Sequence, residues 1–252
     1  MIFPRRAVIS FFDMKKLPYP LLALLLGFTL AVQAKDTATT VLYFDPASVD
    51  LKALLPDPPA DGSATTQKEI DLILQKQAAR TPEEVVRIKQ EVHLNVSLFK
   101  NVLGSWFTEK NLPATTALFK NVDAVVHPVV ESAKKDWGRP RPPLQDKRIH
   151  PPIDLPKNTS YPSGHSTVGD LDALILAELA PDLKEAIMAR GLQIGDDRII
   201  GGVHFPSDVE AGHTLARDLF AKLMASAAFQ ADLAKAKEEV AAARGPVRGG
   251  KS

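Results

Sequence analysis

The chain has 252 residues, 45% of them hydrophobic and 24% charged, and its 31 Lys and Arg against 30 Asp and Glu leave a net charge of +1. That composition supports one sizeable core, and so even a balance argues against a partner bound through bulk charge, whether a nucleic acid polymer or an anionic membrane surface. No cysteine is present, which excludes thiol catalysis, disulfide frameworks and thiolate metal sites.

The N-terminus pairs a basic leader (Arg5, Arg6, Lys15, Lys16) with a short apolar run from Leu21 to Val32 and a Val32-Gln33-Ala34 junction. This pattern predicts a signal peptide over 1–34, cleaved after Ala34, and a periplasmic or secreted protein. The run is shorter than the ~20 residues of a membrane span, and no later stretch is apolar enough for one, so no membrane association is expected after cleavage. Residues 35–64, rich in Pro, Asp, Thr and Ala, read as an irregular arm.

A helical domain is expected over 65–243. Ile70, Ile73 and Leu74 form a first apolar stripe. Thr81-Pro82-Glu83-Glu84 supplies a Thr cap, a Pro at the first helical position and a Glu three residues past the cap. Val85, Ile88, Val92, Val96 and Phe99 continue at helical spacing up to Gly104. Leu118, Val122, Val125, Val129 and Val130 mark a helix over 114–135, which Pro128 is expected to kink or split. The proline-rich stretch 138–162 reads as one long loop, and long loops in compact domains tend to be functional. Val168, Leu171, Leu174, Ile175 and Leu179 follow at helical spacing. Pro181 and Asp182 open the next helix, through Leu183, Ile187 and Ile194. Ser207-Asp208-Val209-Glu210 fits a capping box for a helix carrying Leu215, Leu219, Phe220 and Leu223. Residues 244–252 read as a disordered tail. No segment reads as a strand, so the expected fold is an all-α helical bundle with one long loop.

Three polar clusters lie at helix ends and in loops. His204 and Asp208 stand four apart. On a first helical turn they share a face, so the carboxylate accepts the Nδ1–H and leaves Nε2 unprotonated, a nucleophile toward phosphorus. Taken alone, the pair fits a capping Asp beside a half-buried His better than it fits a nucleophile and its orienter. Ser163-Gly164-His165 opens a helix whose first N–H groups are free for an anion. Gly164 permits close approach, Ser163 can add a hydroxyl, and His165 can protonate a leaving oxygen. Lys134, Arg141 and Arg198 supply cations for phosphoryl oxygens, with prolines at 140 and 142 stiffening the backbone around Arg141. His93, His127, His150 and His213 match no motif and read as structural. Trp137 is either packing or a stacking surface.

The order and spacing of these clusters resemble the phosphatidic acid phosphatase type 2 superfamily, whose pattern is K-x6-RP, PSGH and SR-x5-H-x3-D. Lys134 with Arg141-Pro142, Pro162-Ser163-Gly164-His165, and Arg198, His204 and Asp208 fit it in turn. The departure is Asp197 where the family has Ser, an acidic side chain able to weaken or steer Arg198. The leader, the PDPPADGS arm and the stretch ARGLQIGDDRIIGGVHFPSDVEAG further resemble the bacterial class A non-specific acid phosphatases. The resemblance implies a helical fold of the haloperoxidase type and hydrolysis of small phosphate monoesters through a phosphohistidine, with phosphotransfer as a side activity. It also implies no metal or other cofactor, a periplasmic address and homo-oligomers. His204 is then the nucleophile, Asp208 its orienter and His165 the acid, with Lys134, Arg141, Ser163, Gly164 and Arg198 on the phosphate. Two alternatives compete: a vanadium-dependent haloperoxidase-like enzyme using the same pocket, and a non-catalytic periplasmic phosphate-binding protein. Zinc at His165, His204 and Asp208 is disfavoured by the neighbouring cations.

Overall fold

A computed structural model describes residues 43–244, so the leader 1–34 with its cleavage site, the start of the arm and the tail beyond Arg244 lie outside the described residues. Ten α-helices and three short 3-10 turns make up the described chain, with no strand among those residues. The helices are α1 (Leu51–Leu54), α2 (Ala64–Ala79), α3 (Pro82–Gln90), α4 (Lys100–Leu103), α5 (Pro113–Trp137), α6 (Pro142–Gln145), α7 (Gly164–Leu179), α8 (Lys184–Ile200), α9 (Pro206–Ala225) and α10 (Ala227–Arg244). No helix among the described residues is long and apolar enough to cross a membrane.

Helix α7 is the axis of the bundle. It is buried nearly all round, as its run of Leu, Ile and Ala requires. Helices α8 and α9 pack on it most closely, while α5 lies against both α7 and α10. The tight approach depends on missing side chains: a Cβ on Gly191 of α8 would stand 2.6 Å from the Cβ of Ala173 and 2.9 Å from the carbonyl of Gly169, both on α7. Similarly, a Cβ on Gly212 of α9 would stand 2.7 Å from the Ser163 carbonyl. These close crossings bring the starts of α7 and α9 and the end of α8 to one place.

Local signals set most boundaries. Thr81 and Glu84 form the capping box of α3, with Pro82 at its first position. Gly138 ends α5 in the left-handed region at φ 58°, where a residue with a Cβ is strained.

Five sequence expectations change. The helix expected to run to Gly104 stops at Gln90, and the chain re-enters helix only through the turn at Val96–Phe99 and α4. The break frees the Glu91 carbonyl from an intrahelical bond, and His165 uses it. Helix α5 runs through Pro128 unsplit. The arm is not loose: Tyr43, Val49, Leu51 and Leu55 are buried in the main core. Helix α9 starts at Pro206, with Phe205 rather than Ser207 in the capping position. The Asp208 carboxylate caps the Phe205 N–H at 2.8 Å. Helix α10 was not singled out in advance, because an alanine-rich stretch has low contrast; Phe229, Leu233, Ala236 and Val240 are its buried stripe.

Gly191→Ala tests the close packing. Alanine is favoured over glycine in a helix by about 1 kcal/mol, but the neighbours here are backbone and a Cβ, which cannot rotate away. Overpacking of that kind costs ~1–3 kcal/mol. A net loss of up to about 2 kcal/mol is expected from the denaturant midpoint, with the slope unchanged.

Candidate active site

The prolines and the capping choices deliver the three clusters to one cavity of about 450 Å³. Lys134 (end of α5), Arg141 (loop), Gly164 and His165 (start of α7), Arg198 (end of α8) and His204 (just before α9) all line it. Ser163 and Asp208 stand behind that wall. Ser163 is fully buried as the cap of α7, its Oγ accepting from Ser166 N–H. His204 is not on a helical turn, but Asp208, on the first turn of α9, still reaches it.

His204 is almost fully buried, and both ring nitrogens are engaged. Nε2 lies 2.9 Å from Arg141 Nη1. A guanidinium can only donate, so Nε2 carries no proton, and Nδ1–H faces Asp208 Oδ2 at 3.3 Å. Burial and the Arg141 charge hold the imidazole well below its usual range, against the pull of Asp208. The ring is therefore neutral, with its basic nitrogen toward the cavity.

Asp208 accepts on both oxygens. Oδ1 takes Arg139 Nη1 at 2.6 Å. Oδ2 takes the Ser160 hydroxyl, the Phe205 N–H and His204. Burial alone would raise this carboxyl, but these partners outweigh it and hold it below the ordinary aspartate range. Arg139 is in turn held by Glu69 Oε2 at 2.9 Å, and Glu69 Oε1 accepts the Ser207 N–H at 2.7 Å. Arg139, Ser160 and Glu69 were not foreseen as site residues. Arg139 stood within the basic run; nothing in the sequence marked the other two.

The cations differ in availability. Arg141 directs its donors to the carbonyls of Val203, Asn158 and Thr159, to the Asn158 side chain and to His204. Lys134 Nζ donates to the carbonyls of Thr159 and Pro162 at 2.8 Å and of Ser160 at 3.4 Å. It thus braces the loop that carries Ser160, and burial and Arg141 push it down to about 7. Arg198 is different. Its Nη2 is held by Glu91 Oε2 at 2.6 Å, while its Nε–H, fully buried, takes no partner. An orphan guanidinium donor beside a cavity is costly unless an anion completes it. At the start of α7, Ser163 satisfies the N–H groups of Ser166 and Thr167. Those of Gly164 and His165 remain uncommitted among the described residues.

Glu91 links two of these groups. Its buried carboxylate holds Arg198 and Arg190, and its carbonyl accepts His165 Nε2–H at 2.8 Å. Because a carbonyl only accepts, Nε2 keeps the proton and Nδ1 is the atom of His165 left for proton transfer. Burial, then Arg198, push His165 down to about 3. Asp197, the departure from the motif, does not line this cavity. Arg87 of α3 grips it as a fork, Nε at 2.6 Å and Nη2 at 2.7 Å, so its charge is locally neutralised. Trp137 is packing: its indole donates to Asp57 and its ring meets Tyr161 edge-on. His213 pairs with Asp170 at 3.4 Å, away from this pocket. Among the described residues no three His, Asp or Glu side chains converge to hold a metal ion.

An unprotonated imidazole nitrogen backed by a carboxylate, a guanidinium with one free N–H and a free helix N-terminus can together hold a tetrahedral oxyanion against a nucleophile. Residues 115–229 match the model of the PAP2 superfamily. The chain is 32% identical over 222 residues to a non-specific acid phosphatase of Salmonella typhimurium, covering 84% of this chain and 89% of that one. It is 32% identical to a non-specific acid phosphatase of Providencia stuartii, over 77% of this chain and 82% of the relative. An acid phosphatase of Zymomonas mobilis is 40% identical over about half of each chain. The all-α fold is thus that of the PAP2 superfamily. Within it, the chain belongs to the bacterial class A non-specific acid phosphatases, a family of phosphoric monoester hydrolases.

Two measurements probe the electrostatics. Arg87→Ala leaves Asp197 buried and unpaired; since Arg87 is partly exposed, the expected loss is about 2–3 kcal/mol, below the ~3–5 of a fully buried pair. Adding Asp197→Ser should recover most of it, measured by denaturant unfolding. His165 has a folded value below that of the free side chain, so the unfolded chain binds more protons between pH 6.5 and about 3, and stability falls as pH drops through that window. Its share by pH 5 is up to about 2 kcal/mol, with His204 adding to the slope in the same direction. His165→Asn should flatten the thermal-stability profile between pH 6.5 and 5 in phosphate-free buffer.

Proposed function

We propose that the chain hydrolyses a broad range of small phosphate monoesters through a phosphohistidine on His204 Nε2. The observation that carries this reading is the tautomer imposed by Arg141 and Asp208, which holds a neutral imidazole with its lone pair toward the cavity.

The phosphate enters as an oxyanion. Arg198 Nε–H and the N–H groups of Gly164 and His165 take its oxygens, and Arg141 exchanges its contact with Nε2 for one with a phosphate oxygen. Lys134 and Ser163 keep the loop and the helix start in place. Nε2 attacks phosphorus in line, the bond to the leaving oxygen breaks, and the ring becomes a phosphorylated cation that Asp208 stabilises. His165 delivers a proton from Nδ1 to the departing oxygen. In the free enzyme that nitrogen is unprotonated near neutral pH, so the proton comes with the substrate. A monoester monoanion, with its second ionisation near 6, passes its proton to Nδ1 as the dianion forms beside it. Water then attacks the phosphohistidine while Nδ1 of His165 accepts its proton, releasing phosphate and restoring His204. An alcohol in place of water gives phosphotransfer. No step in this cycle needs a metal or another cofactor. On the strength of the N-terminal leader, we assign the mature enzyme to the periplasm or the medium, as a homo-oligomer by likeness to its family.

Rapid quenching with a chromogenic phosphate ester should trap phosphate on His204, mapped by peptide analysis; label on any other residue overturns the assignment. His204→Ala should lower kcat by at least about 10³-fold. Because the proton rides in on the monoanion, kcat/KM should fall as pH rises above about 6. Esters with a strongly acidic leaving group should feel His165→Asn least.

A further inference from the structure

Beyond the phosphate pocket lies a second cavity of about 230 Å³ between α5 and α7. The two spaces share Leu94, Asp123 and Val168 as wall residues, so the second is a continuation of the first. Phe119, Val122, Val126 and Leu171 make most of the remaining surface apolar, while Asn95, Glu109, Thr116 and Lys120 also border it. Nothing in the reaction described above uses this space.

Its far side holds an anomaly. Asp172, 5% exposed, faces the cavity and takes no hydrogen-bond partner among the described residues. It lies seven residues, two helical turns, beyond His165 on α7, or about 10 Å along the axis. Burial first, and then Asp123, push this carboxyl well above its usual range. The cavity thus sets largely apolar walls against one buried carboxyl that has no hydrogen-bond partner among the described residues. A hydrocarbon can cover the apolar part of these walls without losing hydrogen bonds to water.

The geometry points to this cavity as the leaving-group subsite: we infer that it selects monoesters whose alcohol half is apolar and about 10 Å long. The inference rests on the phosphatase reading above, because the ester bond must sit between Nε2 of His204 and Nδ1 of His165 for the alcohol to point along α7.

Monomeric n-alkyl phosphates from ethyl to octyl test it, alongside the matching alkylphosphonates, which cannot be hydrolysed. In wild-type enzyme kcat/KM should climb roughly two- to fourfold per methylene, and phosphonate affinity by a similar factor. Val122→Trp, which fills the second cavity from α5 and does not line the first, should leave turnover of ethyl phosphate near normal and flatten the series. A flat wild-type series with good turnover of ethyl phosphate overturns the subsite and leaves the phosphatase reading standing. No turnover of any ester, with phosphonate affinity still rising along the series, sinks the phosphatase reading and keeps the subsite. Should Val122→Trp fail to fold, the wild-type phosphonate series decides. A flat series in which Val122→Trp instead dissociates an oligomer makes the cavity a contact between copies and overturns the proposal.

Discussion

The Asp208 carboxylate is the group on which the site depends. It is fully buried, and its two oxygens collect Arg139, the Ser160 hydroxyl, the Phe205 N–H and His204. Three separate stretches of chain, at 139, at 160 and at 204–208, therefore converge on one negative charge. A buried carboxylate is tolerated only when so completely partnered. In satisfying it, the fold fixes the start of α9, the position of the 139–141 turn and the tautomer of the imidazole together. Asp208 is at once a helix cap and the orienter of His204, and these two roles are one set of hydrogen bonds.

Around that charge the site alternates in sign. Glu69 holds Arg139, Arg139 holds Asp208, Asp208 faces His204, and His204 accepts from Arg141. On the other side Glu91 holds Arg198 and, through its carbonyl, His165. Each histidine thus has one nitrogen fixed by the protein and the other directed to the chemistry. The two are set in opposite senses: His204 keeps its proton on Nδ1, His165 on Nε2. Burial keeps both neutral, which suits a nucleophile and a base, and suits an acid only when the substrate supplies the proton.

The cost of gathering so many charges is met by partners within the protein. Arg87 covers Asp197, Arg190 shares Glu91, and Lys134 gives its protons to backbone carbonyls. Along the cavity, Arg198 Nε and the N–H groups of Gly164 and His165 are left without partners among the described residues, and these are donors an oxyanion can complete. The adjoining space toward Asp172 has mostly apolar walls, so the charged cavity borders an oilier one. That division matches the two halves of a phosphate ester.

By itself the sequence determined the local facts. The 3.6-residue stripes, the Thr81 cap and the proline-rich run place helices and one long loop, because these depend on neighbours within a turn or two. The three motifs named the residues His204, His165, Asp208, Lys134, Arg141, Ser163, Gly164 and Arg198, because their spacing is a property of the chain. What only the tertiary structure decided are partners distant along the chain: Glu69 with Arg139, Arg87 with Asp197, Glu91 with Arg198 and His165. A carboxylate in a helical stretch carries no mark of the guanidinium it will meet some 70 or 110 residues away. The end of α3 at Gln90 and the packed arm have the same origin, since long-range hydrogen bonds and burial override local periodicity there. Proton positions are the final case: which nitrogen of each histidine is free follows from a donor or acceptor supplied by another part of the fold.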